Sequence, residues 1–315
     1  KRLALAKGLS DGEAAKLSQE GVATVWIDGG LHGMELGGSH LMPALAYWLV
    51  TDESPEAQRI RANVLLLLNP NMNPDGLDIV SSWYSKHVGT AFETASIPEA
   101  AHAYVGNDIN RDWYMFTQAE AKAAADVFYH EWFPQIIFNQ HQGGPFPSRE
   151  WVPPAADPLN PNLDPLMVAA FRHLGGFQLA RFMKEGKPGV ATGVYYRVVW
   201  TAAFMHAAPQ FHNILGLATE TAMGNYATPQ CYSEDEISDP QRNELGVSPL
   251  LPSVEYPIPW HGGCWRLSDA MDYMITGCKA VLDAAAKLKV DYLYDIYDMG
   301  KRQIARGEAA EGGPF

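Results

Sequence analysis

The fold is decided by the stretch VATVWIDGGLHGMELGG, residues 22–38. Residues 22–28 are apolar and largely β-branched, which predicts a buried strand. Gly29 and Gly30 then predict a turn. A helical pattern follows from about Glu35 to Val50, although Pro43 is unfavourable inside a helix. His32 and Glu35 therefore lie on a loop between a strand and a helix, where α/β proteins commonly bind ligands.

The rest of the chain continues this alternation of strands and helices. Further strands are predicted near residues 62–69, 135–139, 193–199 and 214–219, and helices near 10–21, 117–132, 166–184, 267–288 and 292–306. Ser10 and Thr117 each precede an acidic residue by three positions, which predicts helix caps. The alternation predicts a single α/β domain over residues 1–315, with a central mixed, mostly parallel β-sheet flanked by helices. Long proline-rich surface excursions are expected near 143–165 and 224–259.

Composition excludes several classes of partner. The 315 residues carry a formal net charge of −13, which argues against nucleic acid or an anionic membrane as the main partner. No apolar run approaches the roughly 20 residues of a membrane span. The chain begins at Lys1 without a signal peptide, which leaves export open. The three cysteines are interpreted as small core residues rather than a disulfide framework.

His141 is the third residue that points to a metal. A His and a Glu three residues apart occur often by chance, but His141 lies at the end of another predicted strand, in IIFNQHQGG. The carboxyl ends of neighbouring parallel strands open on one crevice. Two histidines and one carboxylate are a donor set that catalytic zinc accepts, with a position left open.

Five motifs occur in an order that resembles the M14 family of zinc carboxypeptidases, in its bacterial branch. They are WIDGGLHGMELGG, NPDG, NDINRDW, the histidine after a strand, and LATETAMGNYATP. The resemblance extends from about Trp26 to Glu220, and helices typical of the family continue to the C-terminus. It implies a zinc carboxypeptidase-like fold and one Zn²⁺ per chain, bound by His32, Glu35 and His141.

The resemblance also implies roles for four further residues. Asp108 accepts the free ring N–H of the first histidine ligand and orients it. Asn110 and Arg111 grip the C-terminal carboxylate of the substrate, with the guanidinium expected to be buried against it. Glu220 is the general base, which takes a proton from the water that zinc activates and returns it to the leaving amine.

The chain departs from the family pattern at two positions. The family has an arginine shortly after NPDG that polarises the scissile carbonyl, and this chain has none there; Lys86 or His87 are the candidates to replace it. Tyr195 and Tyr196 are the candidates for the tyrosine that closes over substrate. His212 is an open candidate for the site. Five other histidines are interpreted as structural: His40, His102, His130, His173 and His261.

The leading hypothesis is a zinc-dependent metallopeptidase that removes C-terminal residues from peptides or proteins. One alternative is a zinc-dependent deacylase of N-acyl amino acids, similar to aspartoacylase; another is a non-catalytic peptide-binding relative. The resemblance favours a secreted protein, extracellular or periplasmic. Met205 with Ala202, Ala203 and Ala207 hints at an apolar specificity pocket.

Overall fold

A six-stranded β-sheet forms the centre of the computed structural model, which describes residues 1–98, 102, 106–194 and 198–309. The order across the sheet is β2-β1-β3-β6-β4-β5. β4 runs antiparallel to β6, and the other neighbouring pairs are parallel. The predicted mixed, mostly parallel sheet is therefore confirmed. Its strands are β1 (Ala23–Asp28), β2 (Val64–Asn69), β3 (Ile136–Gln142), β4 (Glu150–Trp151), β5 (Val190–Ala191) and β6 (Leu215–Thr221).

Helices cover both faces of the sheet. Val25 and Ile27 of β1 are fully buried in one apolar cluster, and Trp26 belongs to a second cluster, where it packs edge-on against Phe128. This alternation arises because successive side chains of a strand point to opposite faces. The helices are α1 (Arg2–Leu5), α2 (Asp11–Glu20), α3 (Leu36–Thr51), α4 (Pro55–Asn63), α5 (Pro74–His87), α6 (Ala119–Asp126), α7 (Pro165–Lys184), α8 (Glu234–Ser238), α9 (Leu267–Lys287) and α10 (Lys289–Glu308). Within the described residues, none of them is long and apolar enough to cross a membrane.

Several local predictions hold and two are wrong. Ser10 caps α2 with a complete capping box, as predicted. Thr117 does not cap α6, because its hydroxyl donates to Asp112 and the helix begins at Ala119. The helix α3 runs through Pro43, since burial of its apolar face in the core outweighs the lost backbone hydrogen bond. No strand is found in the described part of the stretch predicted near 193–199: β5 ends at Ala191, and the backbone turns at Gly193 with a φ of +69°. Residues 195–197 of that prediction lie outside the described residues.

A two-stranded ribbon lies outside the main sheet. It pairs β7 (Gln230–Tyr232) with β8 (Gly263–Trp265) in antiparallel register and carries a disulfide between Cys231 and Cys264. Both of these cysteines are exposed, so their interpretation as core residues is wrong. Cys278 is buried and fits that interpretation.

The candidate functional residues lie at the carboxyl edge of the sheet. β1, β3 and β6 run parallel, and His141 of β3 lies directly beside Glu220 of β6 in the register. The loop after β1 carries His32 and leads into α3. That loop packs tightly on the helix, because a Cβ atom on Gly29 would lie 2.4 Å from the carbonyl carbon of Gly38. A side chain at Gly29 would therefore push the helix, and with it Glu35, away from the sheet.

Candidate metal centre and cleft

His32, Glu35 and His141 meet at one point beyond the sheet edge. The Nδ1 atom of His32 lies 2.6 Å from Oε1 of Glu35, and Nδ1 of His141 lies 2.9 Å from Oε2 of the same carboxylate. The two imidazoles are 4.9 Å apart between ring centroids. Glu35 directly precedes α3, and its backbone N–H donates to the carbonyl of His32. The local turn thus brings the first two residues together, and the parallel sheet brings the third.

Burial and neighbouring charges shift the pKa values of these three residues in opposite directions. Burial by itself would lower the pKa of His32, but the carboxylates of Glu35 and Asp108 outweigh it and raise the pKa to about 10. The pKa of His141 is likewise raised against burial, mainly by Glu35. Burial would raise the pKa of Glu35, yet the two histidines hold it low. A carboxylate between two imidazoles is therefore the stable arrangement even without a cation.

The outer nitrogens of both histidines have acceptors. Nε2 of His32 lies 3.1 Å from Oδ1 of Asp108, and Nε2 of His141 lies 2.6 Å from Oδ1 of Asn139. Asn139 is oriented in turn, because its amide donates to the buried carboxylate of Asp28. When each Nε2 carries the proton, both Nδ1 lone pairs face Glu35, which is the orientation that a bound metal requires. The donor set and its supports therefore fit Zn²⁺.

A second group of residues also has metal-binding geometry. His32, His102 and Asp108 can place three donor atoms within 4.8 Å of one another, as can His32, Glu35 and His141. Nε2 of His102 lies 3.8 Å from Oδ1 of Asp108, and its Nδ1 lies 3.2 Å from the amide nitrogen of Asn73. The two groups share His32. The interpretation of His102 as merely structural thus has a competitor that the sequence did not reveal.

Asn110 and Arg111 lie on a short 3₁₀ turn that is capped by Asp108. Asn110 is only 4% exposed; its amide nitrogen lies 3.3 Å from Nε2 of His141, and its oxygen accepts from the N–H of Met205. The side chain of Arg111 is 49% exposed, with NH1 3.3 Å from Asp108 and the guanidinium over the ring of Phe204. The guanidinium of Arg111 is thus half exposed, and Asn110 is already engaged by the protein.

Glu220 faces the same space as the metal residues. A cavity of about 400 Å³ opens beside them, and Glu220 lines it without belonging to either metal-binding group. It lies within β6 rather than after it. The described residues that line this cavity are His32, Glu35, Asn110, Arg111, His141, Gln142, Gly143, Val198, Phe204, His206 and Glu220.

A comparison with known protein families also points to the zinc carboxypeptidases. Residues 7–155 match the model of the zinc carboxypeptidase family, Peptidase M14. The predicted M14 resemblance is confirmed. The matched range includes both metal-binding groups, Asn110 and Arg111, whereas Glu220 lies beyond it. A search of curated proteins finds no significant match to the sequence.

Solved structures of bacterial carboxypeptidases share the fold. One is a metallo-carboxypeptidase from Pseudomonas aeruginosa in complex with (2-guanidinoethylmercapto)succinic acid, 18% identical with a TM-score of 0.54; the match covers 86% of this chain and 58% of that one. Another is a candidate carboxypeptidase A from Shewanella denitrificans OS-217, 14% identical with a TM-score of 0.52, covering 89% and 59%. The chain thus spans less than two thirds of the length of both proteins. At these identities the similarity establishes the fold.

The candidates for the missing M14 arginine are not brought to the cavity. Lys86 lines a different cavity on α5, and Nδ1 of His87 contacts the backbone carbonyl of Trp83, one helical turn earlier. His212 packs against Tyr129 beside a third cavity. Tyr195 and Tyr196 lie outside the described residues.

Sequence reasoning missed three residues at this candidate site. Asn139 and Asp28 form the support behind His141, and the signal was a polar residue that directly follows an apolar run in each of the two strands. His206 lines the cavity and is only 3% exposed. No motif marks His206, because it lies on an irregular segment that reaches the cavity only in the folded chain.

Proposed function

We propose that this chain is a zinc-dependent metallocarboxypeptidase that hydrolyses C-terminal peptide bonds. The observation that carries the proposal is the convergence of two histidine Nδ1 atoms on Glu35, in a cavity that Arg111 and Glu220 also line. The M14 match supports the same activity.

His32, Glu35 and His141 would hold one Zn²⁺. This group is favoured over His32, His102 and Asp108 because all three of its members line the cavity, whereas His102 and Asp108 do not belong to that lining. When bound, the ion acts as a Lewis acid toward a carbonyl and lowers the pKa of water. Asp108 and Asn139 would keep the two histidines in the tautomer that leaves Nδ1 available.

Glu220 would accept the proton of the attacking water and donate it to the leaving amine. Its place beside His141 in the sheet register supports this role, as does its absence from both metal-binding groups of the described residues. The close approach of Gly144 supports this position, since a Cβ atom there would lie 2.6 Å from the backbone oxygen of Glu220. A general base of this kind typically contributes about 10²–10⁴-fold to the rate.

Arg111 would select chain ends by pairing with the α-carboxylate of the substrate. The exposed half of its guanidinium is available for two parallel hydrogen bonds, and Phe204 stacks against it. Asn110 would contribute less to substrate binding than the resemblance implies, since its amide oxygen already accepts a hydrogen bond from the N–H of Met205. Its proposed role is to hold the segment at Met205 in place.

The disulfide supports the proposed extracellular or periplasmic location. Cys231 and Cys264 join two exposed strands of the ribbon. Disulfides persist mainly in oxidising compartments. A secreted peptidase would meet peptide and protein C-termini there.

Chain-end selectivity provides the test. Wild-type protein should hydrolyse an N-blocked dipeptide with a free carboxylate about 10–150-fold faster than its amide, because a hydrogen bond to a charged group contributes about 1.5–3 kcal/mol when partly exposed. Arg111→Ala should reduce the rate on the free acid and leave the slow amide unchanged. Arg172→Ala removes an exposed arginine elsewhere on the surface and serves as the matched control.

The same assay separates the competing functions. Equal rates on free acid and amide would contradict the carboxypeptidase assignment. Hydrolysis of N-acetylated single amino acids in preference to dipeptides would favour the deacylase. Binding of peptides without turnover, in protein with a full complement of zinc, would favour the non-catalytic relative.

A further inference from the structure

His206 is a buried histidine whose ring has no hydrogen-bond partner. Its residue is 3% exposed, and neither Nδ1 nor Nε2 bonds to any described residue. Buried side-chain nitrogens are nearly always paired in folded proteins, so a histidine with both nitrogens unmet requires an explanation. Because His206 lines the cavity of the metal centre, a bound molecule can reach it.

His206 is almost fully buried, and burial favours the neutral form of its ring. A neutral imidazole has one N–H donor and one nitrogen acceptor. It can therefore bond to a hydroxyl, an amide or a carboxylate, but gains nothing from a hydrocarbon group.

Packing against neighbouring residues fixes the position of the His206 ring. It lies parallel to the ring of Phe204, with centroids 5.5 Å apart, and edge-on to His141 at 6.4 Å. Its backbone packs directly on β6, because a Cβ atom on Gly216 would lie 1.8 Å from the carbonyl oxygen of His206. The ring is therefore held at this place in the cavity by both its stacking partner and its backbone.

Arg111 and His206 lie at different depths below the protein surface. Arg111 is half exposed and His206 is almost fully buried, and the ring of Phe204 contacts both. A terminal residue whose α-carboxylate bonds to Arg111 near the opening would have its side chain available to extend toward His206. The hint of an apolar pocket is not supported, since Met205 and Ala207 are fully buried in the protein and do not line the cavity.

We propose that His206 determines specificity, and that the preferred substrates carry a C-terminal residue whose side chain ends in a hydrogen-bonding group. This inference rests on the proposed carboxypeptidase function. The reason is that only a polar end group restores the hydrogen bonds that His206 lacks, whereas an apolar side chain would bury the ring unpaired.

The test uses pairs of C-terminal residues that have similar shape and differ in polarity. N-blocked dipeptides ending in Asn and Leu, Gln and Met, Thr and Val, and Tyr and Phe are compared by kcat/KM. Wild-type protein should prefer the polar member by at least about 10-fold in two or more of the pairs. His206→Leu should abolish or reverse that preference, and His206→Gln, which keeps a donor and an acceptor, should retain part of it.

The controls separate specificity from folding and from the proposed function itself. Met205→Leu changes a buried neighbour that does not line the cavity, so its preference should match wild type. Zinc content and thermal unfolding of each variant show that the centre and the fold are intact. A polar preference that disappears only in His206→Leu supports the inference.

Two results would overturn it in distinguishable ways. Faster hydrolysis of the apolar members by wild type, or an unchanged preference in His206→Leu with intact zinc, would refute the role of His206 and leave the carboxypeptidase standing. Failure of wild type to hydrolyse any of the free-acid dipeptides would refute the carboxypeptidase and this inference together.

Discussion

Glu150 should make the stability of the protein depend on pH. It lies in β4 and is fully buried, and one of its oxygens accepts a hydrogen bond from Thr221 while the other has no partner among the described residues. Burial raises the pKa of Glu150 from 4.5 to about 8, with the hydrogen bond from Thr221 only partly offsetting it and the charge of Glu220 adding to it.

The direction in which stability changes with pH follows from the proton that Glu150 retains in the folded state. Between pH 4.5 and 8 the folded protein keeps Glu150 protonated, whereas the unfolded chain releases the proton. The free energy of unfolding therefore decreases as pH rises through this window, by at most about 1.4 kcal/mol per pH unit. By pH 7.5, the protonation of Glu150 lowers the free energy of unfolding by at most about 4 kcal/mol relative to its value below pH 4.5.

Glu150→Gln replaces the carboxyl by a neutral group of the same shape. The variant should match wild type near pH 5, within the about 1–3 kcal/mol that an unpaired amide can cost, and should become more stable relative to wild type as pH rises to 8. Urea denaturation at a series of pH values measures this difference. Because both proteins bind metal through the same residues, the pH dependence of metal binding cancels in the comparison.

Glu53→Gln is the matched control, since the side chain of Glu53 is 75% exposed. Its unfolding free energy should run parallel to that of wild type over the whole series. If the Glu150→Gln curve is also parallel to wild type between pH 5 and 8, then Glu150 is not retained in its protonated form and the reasoning is wrong.

The remaining predictions concern the centre itself. His141→Ala should lose most bound zinc, measured by elemental analysis, whereas His102→Ala and the exposed control His173→Ala should keep it; zinc loss in His102→Ala alone would assign the metal to the second group. Glu220→Gln should keep its zinc and lose at least about 100-fold in kcat, and loss of metal instead would show that Glu220 is a ligand. Asp108→Asn should weaken zinc about 10–100-fold in a chelator competition, and unchanged affinity would show that its contact with His32 is incidental.

The sequence by itself determined the framework of the protein and the position of the candidate metal ligands. Residues 22–28 form a buried strand because they are apolar and β-branched, and His32 and Glu35 are three residues apart on the loop that follows. These features depend on local preferences and short spacing, which a sequence displays directly. The sequence also predicted that His141 lies near these two residues, because the ends of parallel strands in an α/β sheet meet at one edge.

Only the tertiary structure decided how the cleft around that group is built. The depth of His206, the engagement of Asn110 with the protein and the exposure of Arg111 each depend on segments far apart in the chain. Lys86 and His87 follow NPDG closely, yet the orientation of α5 takes them away from the metal centre. Helix orientation and side-chain burial result from packing between distant elements, and that packing has no signature in the spacing of residues along the chain.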